Sequence, residues 1–294
     1  MVSDYQLLHN AIQDELRKKK DPSIQVSELV RMGGGSINTT LTIKTNQGNF
    51  FVKFNDAVAY PDLFTLEARN LELLRSTRSL HIPQVISVFE FEGTSLLMME
   101  MIEAGTPHYD FWRDFGTGLA RIHKHTNPTF GLDYDNYIGS LKQINTPKTN
   151  WIEFFIECRL NPMLRLAVDS GKADQQLVKK FESLYLRLDE IFPQEAPALL
   201  HGDLWSGNCM ANMDGDPVIY DPAVYYGHRE MDLAMSKLFG GFEEKFYEAY
   251  HEEFPLENHW KQRIAICNLY PLLVHVNLFV GSYIQSVKNI VNRF

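Results

Sequence analysis

The hydrophobic residues change their spacing about one third of the way along this chain, and this change constrains the fold more than any other feature. Before residue 100, apolar residues alternate in short runs between turn signals, as in residues 37–43 and 50–54, which predicts antiparallel strands. Beyond residue 107 they recur mostly every three or four positions, which predicts helices. The sequence therefore predicts an α+β protein with a strand-rich first part and a helical second part.

The same patterns place the elements and one boundary. In the first part we predict helices over residues 4–19 and 61–76 and strands over residues 24–32, 37–43, 50–54, 85–91 and 96–102. In the second part we predict helices around residues 111–122 and over residues 150–169, 174–191, 229–239 and most of 243–290. Residues 198–221 differ, since short apolar runs flank polar loops there. We expect an N-terminal lobe of residues 1–102, a C-terminal lobe of residues 103–294 and a crevice between them.

Composition excludes several classes of protein. The 294 residues include 28 basic and 37 acidic side chains, a formal charge of −9, so the chain lacks the basic excess of a nucleic-acid-binding protein. The three cysteines are far apart, which disfavours a disulfide framework or a cysteine-rich zinc site and fits a reducing compartment. The first residues show no signal-peptide pattern, and the apolar stretch 269–284 is too short and too interrupted to span a bilayer. We therefore expect a cytoplasmic protein with no membrane or nucleic-acid partner.

The segment 201–208 carries the chemistry most clearly. It reads His-Gly-Asp-Leu-Trp-Ser-Gly-Asn, and Asp221 follows thirteen residues later, a spacing typical of phosphotransferases. Phosphoryl transfer depends on alignment and charge neutralisation. Asn208 and Asp221 offer the hard oxygen ligands that Mg²⁺ prefers, and Asp203 could accept the proton of an acceptor hydroxyl. We expect His201 to brace the loop rather than to exchange a proton in the reaction. The alternative for the whole segment is a polar turn between two buried strands.

A lysine and a glutamate in the first part strengthen this interpretation. Lys53 lies within an apolar strand, like the lysine that holds nucleotide phosphates in kinases. Four apolar residues of the helix predicted over 61–76 form a stripe, and Glu67 falls at its centre. Because a carboxylate on a buried face is costly unless it is paired, we predict an ion pair between Glu67 and Lys53. The alternative for Glu67 is a carboxylate at the helix end or one that reaches solvent. Glu72 lies on a different face of the helix, and we expect it to be solvated.

Two further segments suit a nucleotide. They are Gly33, Gly34, Gly35 and Ser36 at a strand bend, and Glu100, Met101 and Ile102 at the end of the first part. Backbone N–H groups of the glycine segment could approach phosphates, although a simple flexible turn has the same sequence. Adenine could bind the backbone of the second segment, although an ordinary strand that leads into a linker also fits.

Four other side chains have two interpretations each. Trp205 is either an apolar platform for a sugar or a residue that packs the loop. Asp232 either accepts backbone N–H groups of the catalytic loop or caps a helix. His123 and His125, at the end of a predicted helix, are expected to be surface histidines that favour the helix dipole rather than metal ligands.

Several blocks resemble one known family. They are LLHGDLWSGN at 199–208, IYDPAVYYGHREMDLAMSKLFGGF at 219–242, FVKF with the downstream Glu67, and FGLDYDNYIGS at 130–140. Together with the rest of the chain they resemble the fructosamine kinase (ketosamine-3-kinase) family, a branch of the aminoglycoside-phosphotransferase-like kinases. The tryptophan of the first block and the DPA-containing block distinguish this family from aminoglycoside and choline kinases.

The resemblance implies a protein-kinase-like fold of two lobes, with a small antiparallel sheet in the N-lobe and a mainly helical C-lobe. It implies that ATP, with Mg²⁺, phosphorylates the third sugar hydroxyl of a ketoamine of the fructosamine or ribulosamine type. The phosphorylated product then breaks down and frees the amine. By position, Asp203 is then the proton acceptor, Asn208 and Asp221 are the metal ligands, and Lys53 and Glu67 are the phosphate-positioning pair. Glu100, Met101 and Ile102 contact adenine.

One position departs from the family, and other functions stay open. Many members carry a cysteine linked to dimerisation where this chain has Ser36, so a disulfide there is excluded and the oligomeric state is open. The acceptor is either a small-molecule or a protein-borne ketoamine. A kinase for aminoglycosides or choline is the main alternative, and a pseudokinase that acts as an interaction module is another. A metallohydrolase is the weakest, because it leaves Lys53 and Glu67 unexplained.

Overall fold

A five-stranded antiparallel sheet forms the first part of the molecule. The structure is a computed structural model that describes residues 2–33 and 38–294. The elements of the first part are α1 (Val2–Lys19), β1 (Val26–Met32), β2 (Thr39–Thr45), β3 (Gly48–Asp56), α2 (Leu63–Ser76), β4 (Val85–Phe91) and β5 (Thr94–Glu100). The strands lie in the order β1-β2-β3-β5-β4. All of the strands predicted before residue 100 are therefore present, with ends that differ by a few residues.

Alternating side chains give the sheet two apolar faces. Leu96 and Met98 of β5 pack in a cluster with Ile12 of α1, whereas Leu97 packs on the opposite side with residues of α2. Lys53 of β3 is directly opposite Leu97 in the antiparallel register, and opposed residues share a face of the sheet. The period of two along the strands thus places Lys53 on the side of α2.

Helices dominate the second part. They are α3 (Phe111–His123), α4 (Trp151–Phe154), α5 (Asn161–Asp169), α6 (Gln175–Tyr185), α7 (Leu188–Ile191), α8 (Glu230–Leu238), α9 (Glu244–Glu253), α10 (Trp260–Cys267), α11 (Leu269–Leu278) and α12 (Tyr283–Val291). Their apolar faces enclose a large core that includes Phe181, Leu273 and Val287. Within the described residues, no helix has the length and apolar character needed to cross a bilayer.

Three two-stranded ladders interrupt these helices. They are β6 (Asn136–Ile138) with β7 (Leu141–Gln143), β8 (Ala198–Leu200) with β11 (Tyr225–Gly227), and β9 (Cys209–Ala211) with β10 (Pro217–Ile219). Each strand has only three residues, so the ladders serve to fix the loops between them. The α+β prediction is confirmed, with strands concentrated in the first part and helices in the second.

Three of the predicted helices are interrupted, and the one expected over residues 174–191 is divided into α6 and α7. The helix expected over residues 150–169 contains a π-helical turn, Phe155–Leu160, where Arg159 is fully buried, with its guanidinium 3.9 Å from the centre of the Tyr225 ring. The helix expected over residues 243–290 is divided into α9, α10, α11 and α12. His259, just before α10, has a φ of 65°, a left-handed conformation that cannot continue a helix.

Candidate active site

Two loops that carry the catalytic motif lie side by side because their flanking strands pair. The first loop joins β8 to β9 and the second joins β10 to β11, while β8 pairs with β11 and β9 with β10. The N–H of Ala223 donates to the carbonyl of His201 at 2.9 Å, and the N–H of Tyr220 donates to the carbonyl of Asn208 at 3.1 Å. Residues 201–208 and Asp221 therefore meet in one place.

Asn208 orients Asp203 and keeps an oxygen for another partner. Its Nδ2 donates to Oδ2 of Asp203 at 3.0 Å and to the backbone carbonyl of Asp203 at 2.9 Å. Asp221 has a φ of 56°, a left-handed conformation that is uncommon for residues other than glycine and concentrates at functional sites. Because the amide nitrogen of Asn208 is engaged, its Oδ1 and the carboxylate of Asp221 form an oxygen donor set that fits Mg²⁺.

Lys53 lies between two carboxylates. Its Nζ is 2.7 Å from Oε1 of Glu67 and is also in direct contact with Oδ1 of Asp221, and the residue is only 5% exposed. Burial alone would lower the pKa of Lys53, but Asp221 and Glu67 outweigh it and raise that pKa above its ordinary value. The predicted ion pair is therefore present, and it joins α2 to the loop that carries Asp221.

Asp203 occupies an environment that suits a proton acceptor. Burial raises its pKa to about 7; the hydrogen bond from Asn208 opposes this rise, and the nearby carboxylates of Asp221 and Asp232 add to it. A carboxylate with a pKa close to the working pH can both hold and release a proton. The loop therefore presents a carboxyl group whose raised pKa suits proton exchange near neutral pH.

Asp232 of α8 supports the catalytic loop by accepting hydrogen bonds from its backbone. It is 1% exposed, its Oδ2 accepts the backbone N–H of His201 at 2.7 Å, and its Oδ1 accepts that of Gly202 at 2.9 Å. Burial would raise the pKa of Asp232, but hydrogen bonds and the nearby His123 and His201 hold it below its usual value. The first of the two predicted roles for Asp232 is confirmed.

Two buried histidines, His201 and His123, make hydrogen bonds that hold this loop in place. The ring of His201 is fully buried; Nε2 donates to the carbonyl of Tyr220 at 3.0 Å, and Nδ1 accepts the N–H of Asp203 at 3.3 Å. His201 thus braces the loop, as predicted. The prediction for His123 is wrong, because it is 2% exposed and donates from Nε2 to Asp232 at 3.1 Å. The hydroxyl of Tyr250 on α9, 2.8 Å from Nδ1 of His123, completes its partners.

The predicted side chains border one cavity of about 220 Å³. Six of the residues singled out in the sequence line it: Lys53, Glu67, Asp203, Trp205, Asn208 and Asp221. Glu72 lies elsewhere, exposed on α2 as expected. The cavity thus joins the sheet, α2 and both catalytic loops, and it contains the basic, acidic and amide groups that phosphoryl transfer requires.

Trp205 takes part both in the cavity and in loop packing. It lines the cavity, it is 36% exposed, and its ring meets Phe239 edge to face at a centroid distance of 5.7 Å. Partial exposure leaves part of the indole open to a ligand, while Phe239 fixes its orientation. Both interpretations of Trp205 are compatible with this geometry.

Sequence reasoning missed other residues of the cavity. They come from β2 and its approach, from α2, from the β6 turn and from the end of α11: Asn38, Thr40, Asn70, Tyr137, Ile138, Gly139, Val274, His275, Leu278 and Phe279. Residues 137–139 fall within the FGLDYDNYIGS block, which was the available signal for that side. Residues of α11 show only helical periodicity, so nothing local could have identified them.

The segment expected to bind adenine, residues 100–102, lies at the end of β5 and does not line the cavity. We call it the adenine segment. Lys53 opposes Leu97, so Glu100 is three residues further along the strand, roughly 10 Å away. The N–H of Glu100 donates to the carbonyl of Gln84 at 2.8 Å. In the part of the chain that the structure describes, the N–H of Ile102 makes no hydrogen bond, so that group is available to a ligand.

The glycine segment is only partly described. Gly33 directly follows β1, and a Cβ added there would meet no atom of the described residues within 4 Å. Gly34, Gly35 and Ser36 lie outside the described residues. Asn38 and Thr40, just beyond them, line the cavity.

Comparison with known proteins gives a consistent result over nearly the whole chain. The fructosamine kinase family model matches residues 8–294. The chain is 38% identical to the "Probable ketoamine kinase" of Enterococcus faecium, over 91% of this chain and 95% of that protein. It is also 38% identical to the chloroplastic protein-ribulosamine 3-kinase of Arabidopsis thaliana, over 92% of this chain and 83% of that protein.

Solved structures show the same architecture. The "putative fructosamine-3-kinase" of Thermobifida fusca is 34% identical, with a TM-score of 0.86 over 96% of this chain and 98% of that one. An aminoglycoside phosphotransferase in complex with AMP-PNP and hygromycin B has a TM-score of 0.59 at 16% identity, over 96% of both chains, and this likeness shows the fold alone. The predicted kinase-like fold, with a small antiparallel-sheet lobe and a mainly helical lobe, is confirmed.

Proposed function

Because the chain belongs to the fructosamine kinase family, we propose that it transfers the γ-phosphoryl group of ATP to the third sugar hydroxyl of a ketoamine. The family is one of phosphotransferases that act on a hydroxyl group. The single observation that carries the proposal is the convergence of Lys53, Glu67, Asp221, Asp203 and Asn208 on one cavity. Fructosamines and ribulosamines are the acceptors, and loss of the phosphorylated sugar then frees the amine.

The nucleotide lies against the N-lobe. Lys53, held by Glu67, binds the phosphates, with help from the backbone of Gly33, Gly34, Gly35 and Ser36. Adenine contacts the backbone of Glu100, Met101 and Ile102. The separation of roughly 10 Å between Glu100 and Lys53 along paired strands supports this arrangement, because it leaves room for the ribose and phosphates between the two contacts.

Asn208 and Asp221 would hold Mg²⁺ through oxygen atoms. When bound, the ion neutralises phosphate charge as the phosphoryl group moves. The protein contributes the placement of the two ligands: the amide of Asn208 is oriented by its bonds to Asp203, and Asp221 contacts Lys53. Lys53 thus compensates the charge of Asp221 in the same cavity.

Asp203 acts on the acceptor. Its carboxylate orients the sugar hydroxyl and accepts the proton as the oxygen bonds to phosphorus and ADP leaves. A pKa of about 7, caused mainly by burial, supports this role at neutral pH. Trp205, in the same cavity, provides an apolar surface for the sugar.

The location and the organisation of the protein follow the same proposal. We place the boundary between the nucleotide lobe, residues 1–102, and the acceptor lobe, residues 103–294, directly after the adenine segment. The three free thiols, Cys158, Cys209 and Cys267, support work in the reducing cytoplasm. The substrate is a free or protein-borne ketoamine rather than a nucleic acid or a membrane.

Substitution of the base tests the proposal. Asp203→Asn keeps the shape of the side chain and removes its ability to take a proton. We expect kcat on a fructosyl-amine to fall by about 10²–10⁴-fold, measured as ADP formation that depends on the ketoamine. The exposed Asp14→Asn variant on α1 is the matched control and should keep wild-type kcat. Wild-type turnover by Asp203→Asn would show that the assignment of the base is wrong.

A further inference from the structure

Side chains, rather than regular secondary structure, hold the three residues that follow Asp221. The carbonyl oxygen of each accepts a hydrogen bond from a side-chain amide. The three bonds run from Asn70 Nδ2 to Pro222 at 3.3 Å, from Gln143 Nε2 to Ala223 at 3.0 Å and from Asn136 Nδ2 to Val224 at 2.8 Å. They therefore fix the backbone directly beside the left-handed Asp221.

These three amides form one buried unit, which we call the amide network (Asn70, Asn136 and Gln143). Their residues are 2%, 0% and 1% exposed, respectively. Gln143 Nε2 donates to Asn136 Oδ1 at 2.8 Å, and Asn136 Nδ2 donates to Asn70 Oδ1 at 3.2 Å. The hydroxyl of Tyr134 also donates to Asn70 Oδ1, at 3.0 Å. Buried polar groups that satisfy one another in this way are rigid, and each is costly to leave without a partner.

Asn70 connects this network to α2. It lies three residues after Glu67, and residues three apart share a face of a helix. Glu67 contacts Lys53, and Lys53 contacts Asp221, while Asn70 contacts Pro222. The contacts therefore close a ring in which α2 holds Asp221 twice, once through the charge of Lys53 and once through the backbone.

We propose that Asn70 is a positioning residue, which ties the backbone beside Asp221 to the helix that carries Glu67. The inference rests on the proposed function, because it concerns the carboxylate that would bind Mg²⁺. Asn70 borders the cavity, but its oxygen already accepts two hydrogen bonds and its nitrogen donates to Pro222. It acts through Pro222 and α2, and it adds a second link between α2 and the Asp221 loop to the one that Lys53 makes.

The test compares Asn70→Ala with a matched variant of the same surroundings. Asn145 is fully buried and donates to Asn136 Oδ1 at 3.0 Å, but its side-chain hydrogen bonds are made with Tyr134, Asn136 and Arg159 rather than with residues 222–224. Calorimetry measures ATP binding over a range of Mg²⁺ concentrations in the full-length wild type, Asn70→Ala and Asn145→Ala. Both variants should unfold at lower temperature than the wild type. Asn70→Ala alone should raise the Mg²⁺ concentration for half-maximal binding by about tenfold, the effect of one buried hydrogen bond.

Each outcome decides the proposal. A wild-type Mg²⁺ dependence in Asn70→Ala would overturn the proposed role of Asn70. An equal shift in Asn145→Ala would also overturn it, because loss of stability alone would then explain both variants. If Asn70→Ala does not fold, Asn70→Ser, whose hydroxyl is too short to replace the amide, is judged by the same criterion. A wild-type chain that binds no ATP would overturn the proposed function as well. A chain that binds ATP but phosphorylates no ketoamine would overturn only the acceptor assignment.

Discussion

Lys53 lies between two carboxylates, and its removal would leave Glu67 and Asp221 facing each other without a cation. Lys53→Met keeps most of the volume of the side chain and removes its charge. We expect kcat/KM for ATP to fall by about 10²–10³-fold, as when one preorganised charge contact to the transition state is lost. Steady-state kinetics with varied ATP at saturating acceptor measures this change.

Lys44 provides the control for this substitution. It lies on β2 and makes an exposed ion pair with Glu28 at 2.8 Å, with half of its side chain in solvent. Exposed pairs contribute little, so Lys44→Met should retain wild-type kinetics. An equal loss in both variants would indicate a general effect of charge and would refute the specific role of Lys53.

The sequence identified the charged residues of the site because each belongs to a short, readable pattern. Asp203 and Asn208 share one segment, and Glu67 lies on an apolar helical stripe where a charge is conspicuous. Asn70 lies on the same side of α2 and is buried, but an uncharged amide gives a weaker signal, and its partners lie between 64 and 152 residues away. His275 was missed because α11, which carries it, shows only helical periodicity in the sequence.

At the scale of elements, α8 supports the catalytic loop through Asp232. Asp232→Ala removes the acceptor for the N–H groups of His201 and Gly202 and for His123. We expect the free energy of unfolding to fall by about 3 kcal/mol or more, since several buried donors lose a charged partner together. Urea denaturation measures the loss.

The exposed Asp14→Ala substitution on α1 is the control for Asp232→Ala, and it should change the free energy of unfolding by less than about 0.5 kcal/mol. An Asp232→Ala variant as stable as the wild type would contradict the supporting role of α8. We also expect Asp232→Ala to lower kcat, because the loop that carries Asp203 would lose its support.

The strands and most helices could be predicted because their periodicity is local. The π-helical turn, Phe155–Leu160, could not, since it depends on the burial of Arg159 among the rings of Phe154, Tyr225 and Tyr270. The position of His123 at a helix end predicted exposure, but α9 covers that end and places Tyr250 against the ring. Both failures arise from tertiary contacts that helical periodicity does not contain.

At the scale of the whole molecule, we expect His228 to make stability depend on pH. Burial lowers its pKa to about 4; Glu195 opposes this shift, and Arg263 and Arg229 add to it. In the unfolded chain the imidazole gains a proton below about pH 6.5, whereas in the folded chain it stays neutral until about pH 4. The unfolded state therefore binds more protons in this window, and stability falls as the pH is lowered through it.

The expected loss from His228 is about 3 kcal/mol between pH 6.5 and pH 4. Urea denaturation across this range, compared between wild type and His228→Gln, measures it, and the variant should show a flatter dependence. His259→Gln, at an exposed position, should behave like the wild type. An unchanged slope in His228→Gln would mean that other groups cause the pH dependence.

The most direct test of the whole account is the position of the transferred phosphate. The protein is incubated with ATP and Mg²⁺ and, separately, with a fructosyl-amine, a ribulosyl-amine and an aminoglycoside, and the products are analysed by NMR. We predict a phosphate ester on the third sugar hydroxyl of a ketoamine, and none on the aminoglycoside. Phosphorylation of the aminoglycoside alone, or of no acceptor, would contradict the account.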